Sequence, residues 1–476
     1  MLIAPPEVRV PSRDAVERAL RELDRRLGPS KVDTSEAGRQ AYARDDSEAS
    51  GRLPDGVVLA GDRDDVAATL AVCEVHGVPV TPRAAGTGRT GGAVPLAGGV
   101  VLATHGMSSI LDIDRQDLLA VVQPGVITGA LHAAVEAEGL FYPPDPNSLA
   151  SCMIGGNVAE NAGGPRAFKY GVTREYVLGL EACLMGGRVL RTGRRTVKGV
   201  TGYDVTSLFV GSEGTLGVFT EVTLKLVHAP TEIATVLALY ADVRTAAAAV
   251  QRVIARGIVP RCLEMMDAWT LDAIRRQGVA VDPRANAMLL VEVDARHAPL
   301  DGILEVLGET LSEGGSALDV VAAQDAAQRA RLWDARRMLS TATRKLAKYK
   351  LSEDVVVPRS RLVGLLEQTA AVCERLKVRH LTYGHAGDGN MHVNFLWNDD
   401  EERPAVDRAI HALMAETVRL GGTLSGEHGI GVSKAAYLGL EQSAELIALQ
   451  QDVKRVFDPS GLLNPGKIFP TGHVAC

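Results

Sequence analysis

Two histidines and a carboxylate stand out for what they could do together. In "LTYGHAGDGNMHVNFLW", His385 and His392 flank a loop carrying Asp388-Gly389, a strong turn signal between two strand-like runs. Symmetric closure about that loop predicts His385 directly opposite His392, with Cβ atoms about 5 Å apart and able to share one ion. Two strand histidines taken alone are more often ordinary sheet residues. Further on, "SGEHGIG" brings Glu427 and His428 in a loop between two helical patterns. One carboxylate with two imidazoles is a common donor set for a divalent catalytic centre with an open position, and it shifts the balance toward metal. His428 is then left over. With an ordinary pKa of about 6.5, its imidazole is available as a neutral base at neutral pH.

A different chemistry is suggested by glycine. "PRAAGTGRTGG" (82–92) contains the G-x-G-x-x-G string of dinucleotide-binding turns, which must follow a strand and open a helix. The strand is there in "HGVPVTP", but "GAVPLAGGVVLAT" follows, with Pro95 and Gly98-Gly99 where a helix would start. The context is strand, glycine loop, strand, so a Rossmann turn is excluded. A second glycine stretch, "IGGNVAENAGG" (154–164), and a third, "GSEGTLG" (211–217), have the same character. One such loop would be a tight turn. Several together suggest a cradle whose backbone N–H groups wrap a large phosphate-bearing cofactor.

The elements that must carry these groups are readable in outline. Ser12 to Leu27 is patterned as an amphipathic helix, with Ser12 to cap it and Gly28 to stop it. "GVVLA", "GVVLAT" and "LLAVVQPG" read as strands, and "DRDDVAATLAVCEVHG" and "GALHAAVEAEG" as helices. From Pro143 to Gly171 regular periodicity is lost, which predicts a long functional loop. A second α+β domain is expected from about Thr231.

Composition narrows the class. The length of 476 residues predicts two or three domains. A charge of -7, from 51 Lys+Arg against 58 Asp+Glu, argues against nucleic acid as a partner. The N-terminus lacks the apolar stretch of a secretory signal, and no run of about 18 apolar residues predicts a transmembrane segment. The expected location is cytoplasmic, with any membrane contact peripheral and made through a partner. The six cysteines (73, 152, 183, 262, 373 and 476) are scattered without a C-x-x-C, which excludes a ferredoxin-type cluster held by this chain.

Long strings carry a specific resemblance: "PRAAGTGRTGGAVP", "GLFYPPDPNS", "IGGNVAENAGGPRAFKYGVTREYVLGLE", "TVKGVTGYDVTSLFVGSEGTLG", "YGHAGDGNMH", "SGEHGIGVSK" and "FDPSGLLNPGKIFP". From about residue 45 to 470, in order, the chain resembles the FAD-dependent D-2-hydroxyacid dehydrogenases of the vanillyl-alcohol oxidase/p-cresol methylhydroxylase superfamily. That family includes the FAD subunit of glycolate oxidase and the flavin D-lactate and D-2-hydroxyglutarate dehydrogenases.

The resemblance implies an α+β fold. An N-terminal helical segment (1–50) precedes a two-subdomain PCMH-type FAD-binding domain (51–230). A substrate or cap domain with a largely antiparallel sheet (231–425) follows, and a C-terminal segment (426–476) returns to the FAD site. The residues expected at FAD are Pro82, Arg83, Ala84, Ala85, Gly86, Thr87 and Gly88; Asp145 and Ser148; Gly155, Gly156, Asn157, Asn161, Gly163, Gly164 and Gly171; and Glu213, Gly217 and Asn464. Metal is expected at His385, His392 and Glu427, a divalent ion such as Zn or Mn. His428 is expected as the base. Trp333 and Arg336 match a W-x-x-R whose arginine grips the substrate carboxylate, with Lys350 as a further substrate residue. Two departures are noted: Arg89-Thr90 replaces a frequent Leu-Ser, and Met153 replaces a threonine hydroxyl.

The activity implied is oxidation of a D-2-hydroxy acid of the D-lactate or glycolate class to the 2-oxo acid. D-2-hydroxyglutarate oxidation and a non-catalytic flavin-binding partner subunit are the alternatives. FAD is expected to be non-covalent, because Pro82–Gly92 has no histidine or cysteine. Electrons are expected to leave to a separate acceptor: an iron–sulfur subunit, an electron-transferring flavoprotein or quinone.

Overall fold

Helix Arg13–Leu27 forms where its spacing and caps place it. Ser12 Oγ accepts from the Ala15 N–H at 3.2 Å, and Gly28, at φ +90°, ends it. The computed structural model describes residues 8–470, so Cys476 lies outside the described residues. The chain groups into two units. One holds the described residues up to Gly163, Val172–His228 and residues 427–470. The other holds Gly164–Gly171 and Ala229–Gly426.

The first unit is built on two sheets. Strands β1 (Val32–Asp33), β2 (Gly56–Leu59), β3 (Val80–Arg83) and β4 (Val100–Ala103) lie in the order β1-β2-β4-β3, with β3 and β2 parallel to β4. No helix lies between β3 and β4, as the Pro95 and Gly98-Gly99 argument requires. Helices Arg13–Leu27 and Arg63–His76 contribute Leu23 and Leu70 to the core against this sheet. Strands β5 (Ile110–Asp114), β6 (Leu119–Val122), β8 (Val177–Cys183), β9 (Val189–Gly193) and β10 (Val218–Lys225) form an antiparallel sheet ordered β5-β6-β10-β8-β9. A short ladder joins β7 (Leu140–Phe141) to β11 (Val227–His228).

The stretch 143–171 is less irregular than its sequence suggests. Ile154–Glu160 is a helix, and Ala167–Tyr170 a single helical turn. Gly155 and Gly156 sit in the first turn of Ile154–Glu160, where their low propensity hides the helix from a sequence reading. A Cβ at Gly155 would lie 2.6 Å from Pro124 Cβ, so close packing selects glycine there.

The second unit is one antiparallel sheet. Strands β12 (Glu232–Tyr240), β13 (Cys262–Asp267), β14 (Ala287–Ala295), β15 (Ala317–Ala322), β16 (Tyr349–Val356), β17 (Arg379–His385) and β18 (Asn390–Trp397) are ordered β15-β12-β14-β13-β17-β18-β16. Both parities of β13, β14, β17 and β18 are buried, so both faces are covered. Segment Gly164–Gly171 belongs here by its contacts, which its sequence did not foretell. Tyr170 Oη donates to Asp294 at 2.7 Å, Lys169 pairs with the same carboxylate, and Phe168 lies against Gly387 and Leu263.

Candidate active site

The histidine hairpin closes earlier than symmetric placement predicts. His385 pairs with Asn390, and His392 with Tyr383, so the two histidines are offset by two residues rather than directly opposed. The connection is only Ala386–Gly389, and Gly389 turns at φ +83° with its α-carbon tight against Val357; a Cβ there would lie 2.1 Å from that carbonyl oxygen. An offset of two keeps both side chains on one face. Their rings stand 5.2 Å apart at 87°, buried, with ring nitrogens within 4.8 Å. Two such imidazoles suit a divalent ion.

The same face carries charge that the sequence reading missed. Glu264, 0% exposed, pairs in register with His385 across β13 and β17. Its Oε1 is 2.5 Å from His385 Nδ1, and its Oε2 accepts from Arg336 Nε at 2.6 Å. Burial pushes the Glu264 carboxyl up, but the charges and hydrogen bonds of His385 and Arg336 outweigh it and hold the group well below the usual carboxylate range. The available signal was a lone glutamate in the apolar run "CLEMM", sharing parity with buried Cys262 and Met266.

The W-x-x-R pair docks its helix, Ala326–Arg337, onto this sheet through two carboxylates. Trp333 Nε1 donates to Glu292 Oε2 at 2.7 Å, one helical turn from the Arg336–Glu264 pair. The Arg336 guanidinium also lies 4.9 Å from the Tyr383 ring centre. Arg337, on another side of the helix, pairs with Asp334 at the surface. Lys350, on β16, donates to Thr343 Oγ1 at 2.6 Å.

In the first unit the glycine segments converge. Pro82 and Arg83 end β3, and the loop Ala84, Ala85, Gly86, Thr87 and Gly88 follows. Gly86 has φ +75°, and a Cβ on it would strike the Arg83 guanidinium at 2.1 Å. That guanidinium is fixed by the Arg44 carbonyl at 2.6 Å and by the Tyr42 ring. Gly156 faces Ala84 Cβ at 3.4 Å, which brings the first two glycine segments together. A backbone this bare of side chains fits the close approach of a dinucleotide.

Several expected cofactor side chains are occupied by protein partners. Asn157 Nδ2 donates to Thr128 Oγ1, and Asn161, left-handed at φ +55°, accepts from the Arg174 amide. Asp145 is buried, and the Ser148 carbonyl accepts the Ser151 and Cys152 amides. Gly217 packs on the Phe209 ring, and Gly163 faces Glu427. Gly164 and Gly171 bound the segment grouped with the other unit. Met153 stands at the start of helix Ile154–Glu160, where no side chain caps it.

The loop bearing Glu427 and His428 hangs from these glycine segments. Thr90 Oγ1 donates to the His428 carbonyl at 3.0 Å, and the Thr90 carbonyl accepts the Val432 and Ser433 amides. Glu213, at φ +51°, accepts the Ile430 and Gly431 amides at 2.7 Å each. Asn464 Nδ2 donates to the Gly92 and Glu213 carbonyls, and its own amide to the Val80 carbonyl. His428 Nε2 lies 3.9 Å from Glu427 Oε1. Burial pushes the Lys467 ammonium down to about 7, opposed by Asp45 and Glu213.

Among the described residues the five cysteines are buried and form no disulfide, and no helix is long and apolar enough to cross a membrane. The fold is that of the p-cresol methylhydroxylase flavoproteins. A structure of p-cresol methylhydroxylase with substrate bound superposes with a TM-score of 0.81 at 16% identity, covering 97% of this chain and 98% of that one. Residues 54–193 match the FAD binding domain family, and residues 229–468 match FAD linked oxidases, C-terminal domain. The glycolate oxidase subunit GlcD of Bacillus subtilis is 41% identical over 93% of this chain and 94% of its own length. A D-lactate dehydrogenase of Anaerostipes hadrus is 34% identical over 94% and 96%. The chain belongs to the FAD-linked oxidase family, and it is an FAD-linked oxidoreductase.

Proposed function

We propose that the protein oxidises a D-2-hydroxy acid of the glycolate and D-lactate class to the 2-oxo acid and passes the electrons to a separate acceptor. The observation that carries this reading is the Glu264 carboxylate shared by Arg336 and His385. A carboxylate grip and a metal-type imidazole are thereby held side by side, matching a substrate whose carboxylate and hydroxyl sit on adjacent carbons. The names of the relatives, a glycolate oxidase subunit and a D-lactate dehydrogenase, support the same substrate class.

Arg336 receives the carboxylate, because its planar fork pairs bidentately and fixes C2 in one orientation. Lys350, on β16 at the same parity as Asp354, the strand partner of His392, is assigned to the substrate as a further cation. His385, His392 and Glu427 are the residues that would hold a divalent ion. Glu427 directly follows Gly426, whose amide is held at 2.7 Å by Asp354, the strand partner of His392. His428 takes the hydroxyl proton on its imidazole. When bound, FAD supplies the hydride acceptor and an ion such as Zn or Mn the Lewis acidity toward the hydroxyl. FAD is held without a covalent bond: Pro82–Gly92 has no histidine or cysteine, and Cys152 is buried with its Sγ 3.3 Å from Thr128 Oγ1.

Anaerobic mixing of the FAD-loaded protein with D- and L-2-hydroxy acids, D-2-hydroxyglutarate among them, tests the reading. Glycolate or D-lactate should bleach the flavin, and L-lactate should not. A flavin that no member of the panel bleaches would make the chain a binding subunit. Reoxidation by a dye but not by NAD, and slowly by air, is expected of a protein that needs a partner. Acid precipitation should leave the flavin in the supernatant.

A further inference from the structure

We propose that Glu264 is the positioning residue that makes metal ligation and carboxylate recognition one device. The inference rests on the reading of His385 as a metal ligand and Arg336 as the carboxylate grip. Three features of the chain carry it.

The first is register. Glu264 is the residue directly opposite His385, so its carboxylate needs no long reach to the imidazole. The second is how the two oxygens are divided. Oε1 meets His385 at Nδ1 and Oε2 meets Arg336 at Nε. A carboxylate on Nδ1 fixes the proton there, so Nε2 keeps the lone pair that a metal requires, and the ring plane is set. A carboxylate on Nε, the inner nitrogen, fixes the plane of the guanidinium fork that would meet a substrate carboxylate. The third is cost. A fully buried carboxylate in the middle strands of a sheet is expensive unless it is paired and hydrogen-bonded, and here both oxygens are.

Neutralising Arg336 alone would need only one oxygen. The second oxygen is engaged by His385, the residue read as a metal ligand. Substitution of Glu264 should therefore move metal affinity, a property that arginine pairing does not govern.

The test uses full-length, FAD-loaded protein stripped of metal, titrated with zinc against a chromophoric chelator and without substrate. Glu264→Gln keeps the size but offers one acceptor and one donor where two N–H groups need acceptors. Zinc affinity should fall about 10–100-fold, as it does when a carboxylate behind a ligating histidine is lost. The Michaelis constant for the 2-hydroxy acid should rise in the same variant. Glu264→Asp keeps the charge but loses a methylene, and should weaken zinc as well.

His385→Ala separates the two levels of the argument. If that variant binds zinc like the unaltered protein, the metal reading itself fails. If it loses zinc while Glu264→Gln and Glu264→Asp bind normally, the metal reading stands and the role of Glu264 is refuted. Long-range proton–nitrogen correlation on histidine-labelled, unaltered protein with zinc needs no variant to fold. It should find His385 protonated at Nδ1, and a proton at Nε2 would overturn the proposal.

Discussion

The two units hold their functional residues by opposite means. In the Ala229–Gly426 unit, a sheet face carries Glu264, His385, His392 and, from the packed helix, Arg336, with His385 and Arg336 both held by the Glu264 carboxylate at 2.5–2.6 Å. In the unit with the glycine segments, position is set by backbone. Thr90, Glu213 and Asn464 bind amides and carbonyls of neighbouring loops, and glycines keep side chains out of the way. Strands impose a rigid two-residue repeat, so a side chain can be aimed and then locked by an ion pair. Loops around a flat, extended dinucleotide need close backbone approach instead, and only linked amides and carbonyls keep them shaped. Lesions in one unit should therefore damage substrate chemistry while flavin stays bound. Lesions in the other should release flavin.

The largest expected effect tests His428, which with Glu427 is assigned to chemistry although it lies in the loop-built unit. His428→Ala should lower kcat about 10²–10⁴-fold, the range of a lost general base, with flavin absorbance retained. Near-normal turnover after this change would remove His428 from the reaction.

Arg336→Ala should lower kcat/KM about 10²–10³-fold, mostly through KM, because the grip is lost and Glu264 is left half-paired in the interior. Flavin content should equal that of the unaltered protein. Loss of flavin in this variant would break the contrast between the units.

Asn464→Ala probes the loop-built unit. It leaves the Gly92 and Glu213 carbonyls without their donor, which should cost about 1–3 kcal/mol and show as faster flavin loss on dilution. KM should hold steady in the fraction that keeps flavin. Trp333→Phe is the matching small lesion on the sheet face. Loss of the bond to Glu292 should cost about 1 kcal/mol and raise KM without releasing flavin.

The smallest effect is a pH slope. Lys467 has its folded pKa lowered from 10.5 to about 7 by burial, against the opposing charges of Asp45 and Glu213. Between those values the unfolded chain binds the extra proton. Stability should thus increase as pH rises from about 7 toward 9, by at most about 1.4 kcal/mol per pH unit. Lys467→Met should flatten that rise in thermal melts, and an unchanged slope would mean the ammonium is not the group responsible.

Local features were the legible ones. Ser12 and Gly28 bound the first helix because capping depends on neighbouring residues alone. Pro95 and the Gly98-Gly99 pair ruled out a Rossmann helix for the same reason, and no helix separates β3 from β4. The hairpin at Asp388-Gly389 was visible, but its register was not. Gly389 turns against Val357, which lies just past the end of β16 and outside the hairpin sequence. Helix Ile154–Glu160 was hidden because Gly155 answers to Pro124 and Gly156 to Ala84, both outside the segment.

Residue types, then, determined much by themselves. The glycine segments, the two histidines, "SGEHGIG" and W-x-x-R name their chemistry because imidazole, guanidinium and bare backbone have fixed capacities wherever they stand. Tertiary structure alone decided which of them share a carboxylate. Glu264 lies 121 residues from His385 and 72 from Arg336, and only the pairing of β13 with β17 and the docking of helix Ala326–Arg337 bring the three together. Thr90 likewise meets His428 across 338 residues, where an Arg89-Thr90 pair read along the chain was only a departure from relatives. Capping and turn formation are settled by the few residues on either side, whereas strand order and helix docking are settled by burial summed over the whole chain.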